Sequence, residues 1–204
     1  MRVGVILLLA ALLAGCVTTA ENTLSPERRA ALKIESVKVT FAPNATLSWA
    51  DAESEFERAK LAGEGTTVHL RGEQQGGEKR AFVEQRAAAK ITQAFQKEVV
   101  PSFRGTEAAR VEIVVKSLDI PSTARQVMLG GNHRIGAEIT VVNAKSGEMI
   151  LRAPDFQGQS PGAGAYSLVL DRMLPDPIDR AAVTLAHSYR SWLESGSQMG
   201  RGLL

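Results

Sequence analysis

The chain has 204 residues, 44% of them hydrophobic, with 24 basic and 22 acidic side chains and a formal net charge of +2. That size suits one domain with enough apolar content for a core. The near-balance of charge, with no basic stripe carrying interleaved aromatics, argues against nucleic acid as a partner. A single cysteine rules out an internal disulfide and a thiolate metal cluster.

The most informative stretch comes first. Arg2 gives a short basic start, and Val3 to Ala14 is an unbroken apolar run. The run is too short for a bilayer core, which takes about 20 apolar residues. It fits the hydrophobic region of a signal peptide, roughly 7–15 residues long. It ends in Leu13-Ala14-Gly15-Cys16, which resembles the lipobox of bacterial lipoproteins. The resemblance implies diacylglyceryl attachment to Cys16 Sγ, cleavage before Cys16 and acylation of the new amino terminus. Each buried CH₂ contributes about 0.8 kcal/mol, and stable anchoring takes more than one chain. Lipidation also accounts for an unpaired cysteine in an exported chain, where cysteines otherwise pair. Val17 follows the cysteine, not an aspartate. By resemblance to sorting in enteric bacteria, that implies an outer-membrane anchor with the domain on the periplasmic face.

Residues 1–15 are thus a signal, and residues 16–31 the lipidated cysteine with a polar, small-residue tether. Residues 32–195 form one domain, and 196–204 a frayed tail. Within the domain, Val37, Val39 and Phe41 alternate with Lys38 and Thr40, predicting a strand stopped by Pro43 and Asn44. Ser48 is placed to cap a helix with Trp49, Ala52, Phe56 and Ala59 on one stripe, closed by Gly63 and Gly65. A short strand over Thr66–Leu70 and a polar loop over Arg71–Gly77 follow. Glu78–Val100 is the clearest helix, with Phe82, Gln85, Ala89, Thr92, Phe95 and Val99 on one stripe and Pro101 at its end.

Val111, Ile113 and Val115 predict a second strand, and Ile135, Ala137, Ile139 and Val141 a third. The turn Asn143-Ala144-Lys145-Ser146-Gly147-Glu148 returns the chain into a fourth strand at Met149–Leu151. Residues 155–165, rich in glycine and proline, read as irregular. A last helix starts near Asp176, with Pro177 in its first turn and Ile178, Ala182, Leu185, Tyr189 and Trp192 as its buried stripe. This order predicts an α+β domain: a small mixed, largely antiparallel sheet of about four strands, with helices packed mainly on one face.

From Val111 to the closing helix, the two strands, the turn and the helix resemble a broad group of envelope lipoproteins. Their fold is similar to the TolB amino-terminal domain, and the group includes curli-secretion-type lipoproteins. Its turn usually reads Asp-x-x-Thr-Gly-Glu; here Asn143 and Ser146 stand for the Asp and Thr. The resemblance covers roughly residues 80–195 and implies a fold, not a site.

Gly158-Gln159-Ser160-Pro161-Gly162 matches Gly-x-Ser-x-Gly, and Asp171, Asp179 and His187 follow in hydrolase order. The residue after the serine must donate its backbone N–H to the oxyanion, and Pro161 has none. Losing one such donor costs about 2.7–4 kcal/mol of transition-state stabilisation. Gly162-x-Gly164-x-x-Ser167 lacks the third glycine and the strand of a dinucleotide fingerprint, so no nucleotide is expected. His69, His133 and His187 lie on separate elements, so no metal site is expected either, and no cofactor is implied. Two apolar stretches beside glycines are candidate partner contacts or core: Val127, Met128 and Leu129 before Gly130-Gly131, and Tyr166 to Leu170, with Tyr166 and Leu168 foremost.

The sequence therefore predicts a non-enzymatic binding or assembly component on the envelope. Its expected partners are the membrane, through acyl chains on Cys16, and another envelope protein or copies of itself. The alternative is an accessory of envelope transport that binds lipid or glycan in an apolar cleft near Val127–Leu129 and Tyr166–Leu170. A hydrolase ranks third.

Overall fold

A computed structural model of the protein describes residues 21–63, 72–161 and 176–195. The signal and Cys16, the predicted strand Thr66–Leu70, the stretch from Gly162 that holds Tyr166 and Leu168, and the tail beyond Ser195 lie outside the described residues.

Four strands, β1 (Leu32–Trp49), β2 (Glu107–Ile120), β3 (His133–Asn143) and β4 (Met149–Ser160), form one sheet in that order. β1 and β2 are parallel and the other pairs antiparallel, which is the mixed α+β sheet the sequence predicts. A parallel pair needs a crossover of a dozen residues or more. Here it contains α2 (Ala50–Gly63), α3 (Gly72–Glu98) and a 3₁₀ turn at Val100–Ser102. Three further helices are described: α1 (Pro26–Ala31), α4 (Thr123–Leu129) and α5 (Pro177–Ser195).

The strand alternation puts Val111, Ile113, Val115, Leu118 and Ile120 of β2, and Ile135, Ala137, Ile139 and Val141 of β3, on one buried face under α3 and α5. The other face is charged. Glu138 receives Arg152 Nε at 2.8 Å and Lys116 Nζ at 3.2 Å. The Arg152 hydrogen bond, ahead of the Lys116 contact, holds the Glu138 carboxyl below its ordinary range.

Pro43 and Asn44 do not stop β1. Phe41 pairs with Val115 and Thr46 with Ser117, so the residues between them bulge out and the strand continues to Trp49. Proline is tolerated in a bulge on an edge strand because it breaks no ladder bond there. Arg80 of α3 donates to the carbonyls of Ala42 and Ala45, both at 3.2 Å, which gives the carbonyls on either side of Pro43 and Asn44 a donor. Ser48, expected as a helix cap, stays in the strand opposite Asp119. The start of α2 is closed by Glu53 Oε1, which accepts the Trp49 N–H at 3.2 Å. Of the predicted α2 stripe, Ala59 is exposed.

α3 begins at Gly72, so the loop predicted up to Gly77 is helical from that residue. Its core face is Val83, Ala87, Ile91, Ala94 and Phe95, with buried Val99 just past its end, while Gln85 and Ala89 are exposed. The predicted stripe was set by Phe82, whose ring instead packs on Phe56 of α2 at 5.6 Å between centroids.

β4 is far longer than Met149–Leu151, and residues 155–160, expected to be irregular, are strand. Glycine and proline misled there because both have packing roles. Pro154 lies in an edge bulge, since Ala153 pairs with Ile139 and Phe156 with Ala137. Gly158 lies under α5, where an added Cβ would meet Leu185 Cβ at 2.5 Å and the Ala181 carbonyl oxygen at 2.8 Å. Residues 21–31, expected to be tether, belong to the fold: Ser25 Oγ caps α1 by accepting from Arg28 N, and Leu24 is buried.

Where α5 meets the sheet, Phe95, Phe156, Tyr189 and Trp192 form a ring cluster with centroids 5.4–5.9 Å apart. The Tyr189 hydroxyl is buried without a partner among the described residues, and desolvation pushes its phenol well above the ordinary tyrosine value. An unpaired buried hydroxyl costs about 1–3 kcal/mol, so Tyr189→Phe is expected to be neutral or stabilising, and Tyr189→Ala to cost about 3–5 kcal/mol. The unfolded phenol ionises near pH 10 and the folded one higher. Its linked stability is therefore intact below about pH 10 and lost as pH rises above it. Urea midpoints of wild type and Tyr189→Phe on both sides of that pH check this; parallel alkaline losses in the two proteins would contradict it. Gly158→Ala is expected to cost about 1–3 kcal/mol by overpacking α5, read from the same midpoints.

Candidate functional site

The strand register gives the sheet two poles. Leu32, Glu107, Asn143 and Met149 lie at one, and Trp49, Ile120, His133 and Ser160 at the other. α5 packs Ala181 and Leu185 over Gly158, and Tyr189 and Trp192 over Phe156, so its carboxyl end reaches the first pole.

The amino-terminal segment closes that pole. The last carbonyls of a helix have no donor within it. Asn22 Nδ2 donates to the carbonyls of Trp192 at 2.9 Å and Leu193 at 3.1 Å, and Arg29 donates to the Glu194 carbonyl at 2.6 Å. Asn22 Oδ1 accepts the Leu24 N–H at 3.1 Å, which fixes the amide. The residues nearest the predicted anchor thus cap the carboxyl end of the last helix. At about 0.5–1.5 kcal/mol per net hydrogen bond, Asn22→Ala is expected to lower stability by about 1–3 kcal/mol. An unchanged urea midpoint would show that the cap is not held in solution.

The opposite pole carries α4, between β2 and β3. Ser122 Oγ accepts the Arg125 N–H at 3.3 Å and starts the helix. Gln126 is buried; its amide nitrogen donates to the Pro121 carbonyl at 3.1 Å and lies 2.8 Å from Nε2 of buried His133. This pair ties the helix to the first residue of β3. Outside the tie, Met128 is 81% and Leu129 79% exposed, which places both on the surface and not in a satellite of the core. Val127 belongs to the same helix. Tyr166 and Leu168, the other candidate contacts, lie outside the described residues, as does Cys16. The Gln126–His133 pair was not singled out from the sequence. Its signal was there: His133 continues the inward alternation of Ile135, Ala137 and Ile139.

The hydrolase pattern does not form its elbow. Ser160 is the last residue of an extended strand, opposite His133, and Gly158 makes room for α5. His187 is exposed on α5. An open cleft of about 340 Å³ lies among Leu47, Glu53, Lys79, Arg80 and Val83. Its charged groups are engaged: Lys79 with Glu57 at 2.7 Å, Arg80 with Glu84 at 2.8 Å, and Glu53 with the Trp49 N–H. The Glu57 hydrogen bond raises the Lys79 amine above its ordinary value. Among the described residues, no group of three or more His, Cys, Asp or Glu side chains is placed to hold a metal ion.

The turn at residues 143–148 works with its substituted residues. Asn143 Oδ1 accepts the N–H groups of Lys145 at 2.9 Å and Ser146 at 3.0 Å, and Ser146 Oγ accepts that of Glu148 at 3.2 Å. Gly147 holds φ at +74°, the left-handed conformation that favours glycine.

No family model matches the chain, and no curated protein does. Among solved structures, it is similar to a Xanthomonas campestris protein of the DUF330 family, with 9% identity and a TM-score of 0.37 over 81% of this chain and 84% of that one. It is also similar to the PelC dodecamer from Paraburkholderia phytofirmans, with 10% identity and a TM-score of 0.33 over 79% and 90%. Lipoprotein GNA1162 from Neisseria meningitidis gives 13% identity and a TM-score of 0.24 over 68% and 92%. Likeness at this level carries no residue or activity over to the chain.

Proposed function

We propose that this protein is a lipid-anchored envelope lipoprotein of the outer membrane, facing the periplasm, whose domain is a non-enzymatic binding or assembly component. The observation that carries the reading is Leu13-Ala14-Gly15-Cys16 at the end of a basic-then-apolar leader, with Cys16 the only cysteine in the chain. No helix among the described residues is long and apolar enough to cross a membrane, so the acyl chains of Cys16 supply the attachment in this reading. The exposed pair Met128 and Leu129 favours a contact with another protein or a second copy. Two adjacent large apolar side chains left in water each forgo about 1.5–3 kcal/mol that burial against a partner would return.

Cys16→Ser is expected to abolish palmitate labelling and release the protein from the membrane fraction; labelling that persists would sink the anchoring. For the binding role, a photo-crosslinking side chain at position 128 in intact cells is expected to give a discrete protein adduct. An adduct with lipid alone would favour the lipid-binding accessory instead.

A further inference from the structure

We infer that the pole formed by α1, the carboxyl end of α5 and the 143–148 turn faces the bilayer, and that α4 stands at the far end of the molecule from it. The inference rests on the acylation of Cys16 proposed above and adds the orientation that acylation alone leaves open. A long flexible tether would let any face of the domain meet the membrane. Here the chain is pinned early: Asn22, six residues after Cys16, is held by two hydrogen bonds on the Trp192 and Leu193 carbonyls, and Leu24 beside it is buried. Six residues reach at most about 20 Å even when fully extended. The molecule is considerably longer than that. β2 alone runs 14 residues from pole to pole, about 45 Å at the rise of an extended strand.

The pinned pole therefore stays within the reach of its leash, and the occupant of that face is a phospholipid headgroup surface. The side chains there suit a polar, hydrated contact and not insertion. Arg28 is 54% exposed and pairs loosely with Glu107 at 3.8 Å, Lys33 pairs with Glu35 at 2.9 Å, and Lys97, Arg104, Lys145 and Glu148 are exposed. Of the exposed large hydrophobic side chains among the described residues, one lies there, Met149 at 60%. Met128 and Leu129 are at the opposite pole, beyond the ends of β2 and β3. The bilayer that holds the anchor is thus excluded as their occupant, and they are presented into the space away from it.

The test uses the full lipidated chain in phosphatidylethanolamine–phosphatidylglycerol vesicles. With Cys16 blocked by its thioether, a cysteine introduced at an exposed position is the sole reactive thiol. Lys145→Cys and Met128→Cys each carry the same fluorescent donor, and the vesicles carry an acceptor on the lipid headgroups. Energy transfer is expected to be several-fold greater from position 145 than from position 128, with both variants floating with the vesicles. Equal transfer from the two positions, or greater transfer from 128, would overturn the orientation while leaving the anchoring intact. Failure of both variants to float would overturn the anchoring itself, and the orientation with it.

Discussion

Everything in this domain depends on covering one face of a four-stranded sheet with two long helices. β2 and β3 put an almost wholly aliphatic row on that face, and neither helix could hold its position without it. The packing is close enough to dictate small residues at the contact: Gly158 of β4, and Ala181 and Ala186 of α5. It also fixes direction. Because β1 and β2 are parallel, α3 must return along the sheet, and the Phe95–Tyr189 contact and the Lys90–Asp179 ion pair at 2.8 Å bind α5 alongside it in the same sense. Both long helices therefore end at one pole, where Arg190 donates to the Glu98 carbonyl at 3.2 Å and Asn22 to the carbonyls of α5.

That convergence links fold to function. Helix carboxyl ends need donors, and the chain supplies them from residues adjacent to its predicted anchor. A segment that would otherwise be a free spacer becomes part of the fold, which leaves Asn22 six residues after the proposed anchor at Cys16. The opposite pole is built differently. A helix of about two turns is tied down by a buried Gln126–His133 contact and leaves its last two apolar side chains in water. One end of the molecule is closed by its own chain; at the other, among the described residues, Met128 and Leu129 stay exposed.

The parts of the fold legible in the sequence were those where a single period dominates. The alternation at Val111–Val115 and Ile135–Val141 and the stripe of α5 need no tertiary information, and each lies where it was placed. The misreadings share a cause. Pro43 and Gly158 look like breakers in one dimension, but an edge strand tolerates the first in a bulge whose flanking carbonyls accept from Arg80, and helix packing demands the second. Asn22 and Ser25 look like tether composition because the carbonyls that Asn22 caps lie some 170 residues away. In α3, Phe82 outweighed the Val83–Ala87–Ile91 row because it is larger, though it serves the contact with α2. Of the candidate site, Met128 and Leu129 were visible as an apolar run; that they are exposed is a property of how α4 is tied, which no local pattern carries.

The proposed orientation and binding role both require that Cys16 hold this domain to a membrane. The intact mass of the mature protein taken from the membrane fraction, with sequencing of its first peptide, decides whether it does. The expected species is a chain beginning at Cys16 and carrying a diacylglyceryl thioether and an amide-linked acyl chain. A mature chain that begins elsewhere, or one that begins at Cys16 with a free thiol, would contradict it.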